Sequence, residues 1–151
     1  MNLDTADWSL LISALGLSMV VGAGLFQALF VMPEYFSNPP ATLRRYQQDR
    51  SYTFWLPLHV IILVAIVIAV TTGWHQDRRA LILAAAGCYA LCWVITLLFF
   101  IPGVIAFNRV DVNGPPSAEL AAKGRSWMRR SWPRHALMAA AAILALLALA
   151  R

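Results

Sequence analysis

Four uninterrupted apolar runs constrain this chain more than any other feature of its sequence. They lie at residues 8–32, 54–73, 80–101 and 132–150. About 20 helical residues cover a hydrocarbon core of roughly 30 Å. In lipid, only helices and closed barrels satisfy every backbone N–H and C=O, and runs this long read as helices. The expected fold class is all-α: a polytopic membrane protein, a four-transmembrane-helix bundle forming one domain over 1–151. The fourth run is the shortest fit. Its purely apolar part, residues 136–150, reaches only about 22 Å at 1.5 Å per residue. It has to draw Arg134 and His135 toward the boundary or thin the bilayer. The first run is not expected to be a cleavable signal, because its flank carries Asp4 and Asp7 with no Lys or Arg and no A-x-A site follows it. Beyond the alanine-rich fourth span, no internal repeat stands out.

With 60% hydrophobic and 13% charged residues, the chain falls outside the composition of soluble domains. Its pI of about 9.9 does not point to nucleic acid, because the basic residues sit in short loops between spans, where they orient a membrane protein. Arg78, Arg79 and Arg151 lie on one side. The other side holds Arg44, Arg45, Arg50, Arg109, Lys123, Arg125, Arg129, Arg130 and Arg134. Nine against three puts that second side in the cytoplasm, both termini outside, and the chain in a bacterial inner membrane. Cys88 and Cys92 share a face of the third span and read as small core residues.

Polar groups inside spans belong on protein-facing stripes. On span one, Ser9, Ser13, Gly16, Val20, Ala23, Gln27, Phe30 and Glu34 follow alternating steps of four and three, which places Gln27 and Glu34 on the packed seam. On span two, Tyr52, Trp55 and His59 form a matching stripe, with His59 roughly 7–8 Å below the helix start. Tyr89, Trp93, Thr96 and Phe100 run along span three toward the same end, and Trp132, Arg134 and His135 open span four there. His59 is therefore expected to face Gln27, Glu34 and the start of span four. Before the last helix, residues 117–135 read as an interfacial amphipathic segment capped by Ser117. Leu120, Ala121, Trp127 and Met128 lie on one side, with Lys123 and Arg130 among the basic residues on the other.

These residues suit acid–base chemistry on a lipophilic aromatic molecule. A partly desolvated imidazole at His59 can take a proton, and Arg134 can hold the resulting anion. Gln27, Glu34, Tyr52, Trp55, Trp127 and His135 complete the candidate substrate site. No cofactor is called for; a non-haem metal on His59, His135 and Glu34, or a haem on the two histidines, is the open alternative. The expected partners are an aromatic small molecule and membrane lipids, and small-residue faces on spans one and four leave room for a homo-oligomer. A non-enzymatic subunit binding a partner or lipid through the same stripes is the competing class.

In three stretches the chain resembles the anthrone-oxygenase-like family of small four-span membrane proteins: "VVGAGLFQALFVMP", "TLLFFIPGV" and "WMRRSWPRHALMAAAAILALLAL". The family has a tryptophan, a short gap, and an arginine opening an alanine- and leucine-rich last span, which Trp127 and Arg134 match. The resemblance implies oxygenation of a polyphenolic anthrone to a quinone without a cofactor, or an accessory role in such a pathway. The chain departs from the family's P-x-N after span three, having Pro102, Gly103 and Val104. It also has Ser131 where a His or Asn often precedes the arginine.

Overall fold

A computed structural model describes residues 3–151 of the chain. Helix α1 runs over Thr5–Tyr35, and a short α2 over Leu43–Gln48 lies in the first loop. Helices α3 (Tyr52–Thr72), α4 (Arg79–Asn108) and α5 (Ala118–Leu149) follow. Among the described residues there is no strand. Helices α1, α3, α4 and α5 are each long and apolar enough to cross a membrane, so the four-helix membrane bundle stands as expected.

At the end holding both termini, Arg78 gathers the chain. Its guanidinium donates to Asp7 at 2.6 Å and Gln76 at 2.6 Å, and reaches the Ala148 carbonyl at 3.4 Å. Asp4 and Asp7 also cap α1 reciprocally, each carboxylate accepting from the other's backbone N–H, which satisfies orphan donors of the first turn. At the opposite end the two longer loops pack on each other to form a cap. Gln47 donates to the Phe107 and Val110 carbonyls at the end of α4, and Arg44 donates to Asn113. Phe36, Leu43, Tyr46 and Phe107 form a small core there.

The amphipathic segment before the last span is not a separate element. Ser117 does cap it, accepting from the Leu120 N–H at 3.1 Å, but the helix runs on without a break through Pro133 to Leu149. Its 32 residues make about 48 Å of helix, some 18 Å more than a bilayer core needs. The surplus turns are the cap's main strut: Gly124 lies against the Phe36 ring so closely that a Cβ there would occupy ring atoms.

A second departure lies inside α1 and α4. Each contains a five-residue π turn, Gln27–Val31 and Thr96–Phe100, followed by an α-helical residue and then a proline, Pro33 and Pro102. A proline ring inside a helix collides with the carbonyl four residues back and leaves it without a donor. The wider π turn relieves that crowding, with Met32 N–H donating to the Gln27 carbonyl and Ile101 N–H to that of Thr96. Pro102 therefore does not close span three. Because a π turn inserts one residue, it also rotates everything after it about the helix axis. The seam on α1 holds from Ser9 to Val20 and then slips. Gln27 is half-buried, while Phe30 and Glu34 are exposed.

The paired π turns show that the fold is built twice, although no repeat stands out in the sequence. The hairpin α1–α3 carries a π turn, Pro33, then Pro57-Leu58-His59. The hairpin α4–α5 carries a π turn, Pro102, then Pro133-Arg134-His135. The packing is reciprocal. His59 of α3 meets Trp93, three residues before the π turn of α4, with ring centroids 5.2 Å apart. His135 of α5 meets Gly24, three residues before the π turn of α1. The two cross-hairpin seams nevertheless differ. Helix α1 packs closely along α5, where a Gly24 side chain would lie only 2.9 Å from the His135 ring. Its counterpart, α3 against α4, is thin. Tyr89 and Trp93 stand where α1 has Val20 and Gly24, and their bulk holds that seam apart. The core shared by both hairpins includes Leu17, Val20, Ile62, Tyr89, Cys92 and Met138.

Candidate functional site

The thin seam between α3 and α4 is a groove of about 560 Å³, lined by Leu63, Ile66, Val67, Ala86, Tyr89 and Trp93 among others. His59 sits one turn from Leu63 on α3, beyond the cap-side end of the groove and not among its lining residues, held by Tyr89 and Trp93. Tyr89, only 2% exposed, donates its hydroxyl proton to the His59 carbonyl at 3.0 Å. With that proton committed, the same oxygen is an acceptor for Nδ1–H of the His59 ring, 3.2 Å away. In the tautomer that this pairing favours, Nε2 is left as the ring's acceptor. Trp55 stacks on the ring at 6.4 Å and 29°. The Nε1–H of Trp93 is the one buried side-chain donor without a partner among the described residues.

Arg134 lies elsewhere. Its Nε donates to Thr96 Oγ1 at 2.9 Å, and its guanidinium carbon stands 3.8 Å over the Phe100 ring. Thr96 is itself aimed by donating to the Cys92 carbonyl. The indole of Trp127 stacks on Phe100 at 4.3 Å and donates to the Phe100 carbonyl at 3.3 Å. Gly103 provides the room: a side chain there would overlap the Trp127 ring. Arg134, Phe100 and Trp127, with Phe99, Lys123 and Arg130 among others, line a cavity of about 300 Å³ between α4 and α5, and His59 is not on its wall.

The single site expected from the sequence is thus two sites on either flank of α4. His59 and Trp55 lie together beside the groove; Arg134 and Trp127 line the second cavity. His59 does not meet Gln27, Glu34 or the start of span four. Glu34 faces outward because of the π turn, and Tyr52 is 63% exposed at the start of α3. His135 packs on Gly24 and against Trp132 at 5.8 Å, apart from both cavities. Among the described residues no three His, Cys, Asp or Glu side chains gather to hold a metal, so His59, His135 and Glu34 are not assembled as a ligand set. Tyr89, Trp93, Thr96 and Phe100 were legible as a stripe of span three but not as the residues that hold His59 and Arg134.

No family model, curated protein or solved structure matches the chain.

Proposed function

We propose that this protein is a small enzyme of the bacterial inner membrane, with the cap in the cytoplasm, that oxidises a flat lipophilic aromatic compound held between α3 and α4. The observation that carries the reading is the Tyr89–His59 hydrogen bonding, which holds an imidazole beside an apolar groove through a residue of the groove's own wall. A groove of about 560 Å³ is roomy enough for three fused rings. Its walls are apolar, as an anthrone-like substrate arriving from lipid requires.

The chemistry asks little of the protein. His59 takes a proton from the ring methylene beside the carbonyl-bearing system, leaving a delocalised enolate. The enolate gives its electrons to dioxygen. One oxygen atom becomes the new ring carbonyl, the other leaves as water, and the methylene has lost both hydrogens. The resemblance to anthrone-oxygenase-like proteins supports this reaction class. Arg134 is engaged by Thr96 and Phe100 at the other cavity, so in this reading it does not touch the substrate.

The test is oxygen uptake with an anthrone in lipid nanodiscs. His59→Gln keeps a polar side chain without a basic nitrogen and is expected to lower the rate by about 10²-fold or more, the usual worth of a positioned base. Unchanged uptake in that variant, with equal folding, would contradict the assignment.

A further inference from the structure

The cavity between α4 and α5 belongs to neither the groove nor the base. Its wall includes two arginines, Arg130 and Arg134. Pro133-Arg134-His135 occupies the same place in the second hairpin as Pro57-Leu58-His59 in the first. Counting from each proline, Arg130 and Arg134 correspond to Phe54 and Leu58. Counting from each π turn, Phe99 corresponds to Phe30. At these three places the first hairpin has apolar residues, so two cations and an aromatic ring on the second stand where the first has Phe54, Leu58 and Phe30.

Arg134 is 15 residues from Leu149, about 22 Å along the helix, which sets it roughly 8 Å inside a 30 Å hydrocarbon core. A guanidinium at that depth is costly without a counter-charge. Among the described residues, neither Arg134 nor Arg130 has a carboxylate partner, whereas Lys123 is paired with Glu119 at 2.7 Å. Thr96 takes one N–H of Arg134 and Phe100 takes one face, leaving the other N–H groups of the fork for an anion. Arg130 stands one turn nearer the cap on the same cavity wall. Phe99, 63% exposed on the outer surface of α4, lines the same cavity, so it opens sideways into the leaflet.

We propose that this cavity binds the anionic head of a membrane amphiphile, a phosphate or carboxylate, from the cap-side leaflet. Arg134 and Arg130 hold the head by charge-assisted hydrogen bonds. Phe99, Phe100 and Trp127 flank the first carbons of its chain. A free fatty acid and an anionic phospholipid offer the same chemistry at this point.

The experiment uses the full chain in nanodiscs of phosphatidylcholine, phosphatidylglycerol and oleate, followed by mild detergent release and native mass spectrometry. The expected result is about one retained anionic amphiphile per chain, preferred at least tenfold over phosphatidylcholine. The mass of the adduct tells phospholipid from fatty acid, and either one supports the site. Arg134→Leu copies the first hairpin's own solution, so it is expected to fold and to lose the preference. Arg130→Gln gives an independent reading, with a partial loss, should Arg134→Leu fold poorly. No anionic preference in the parent protein, or one that survives in folded Arg134→Leu, overturns the proposal.

Discussion

Tyr89 is the residue on which the groove turns. It is buried in the shared core yet spends its hydroxyl on both the carbonyl and the ring of His59. Removing it tests orientation rather than basicity. Tyr89→Phe is expected to cost about 1–2 kcal/mol of stability, the worth of a buried hydrogen-bonding group, and to lower oxygen uptake by freeing the imidazole to flip. If its kcat equals that of the parent, Tyr89 is only a packing residue. Two glycines make a second test at this scale. Gly124 meets the Phe36 ring, whereas Gly22 has nothing within 4 Å. Gly22→Ala is expected to gain up to about 1 kcal/mol from helix propensity. Gly124→Ala is expected to lose about 1–3 kcal/mol net, since Phe36 is 3% exposed and overpacking a fixed ring outweighs propensity. Thermal melts of both variants in detergent check the opposite signs.

Among the elements, the four spans and the Ser117 cap could be read from hydropathy and local spacing, because both depend on nearest neighbours along one chain. The face that each helix presents beyond its π turn could not. A regular 3.5-residue count puts Glu34 on the seam, and one inserted residue turns it outward. Pro33 and Pro102 were visible in the sequence. Whether a proline ends a helix or is absorbed by a π turn depends on packing around it, which periodicity does not record. Trp55 and His59 kept their stripe because Pro57 lies in the first turns of α3, ahead of any rotation. Their partners came from α4, since seam width is set by the bulk of Tyr89 and Trp93 against that of Val20 and Gly24. The cap adds a pH-sensitive element. Burial, with Asp49 nearby, pushes the Tyr46 phenol well above the ordinary tyrosine range. A raised phenol value stabilises the folded form while both states are protonated, and that contribution fades once pH exceeds about 10, where the unfolded chain ionises first. Melting temperature is therefore expected to fall above that pH, and to fall less in Tyr46→Phe.

For the whole molecule, the organising fact is one hairpin used twice and then made unequal. The α1–α5 seam closes on small residues, and the α3–α4 seam is held apart by aromatic ones. Cations line only the second hairpin's outer cavity. A bundle of this kind keeps its core rigid while offering two different surfaces to lipid, a neutral groove and a cationic cavity. The central claim is that His59, held by Tyr89 at the cap side of the groove, serves as a base through Nε2. Histidine-selective ¹⁵N NMR of the protein in nanodiscs tests it directly, with the His59→Gln spectrum to assign the signal. The expected result is a protonated Nδ1 and an unprotonated Nε2 at neutral pH, with the Nε2 signal moving when an anthrone is added. An Nε2 that carries the proton, or one that an aromatic ligand leaves unmoved, would contradict it.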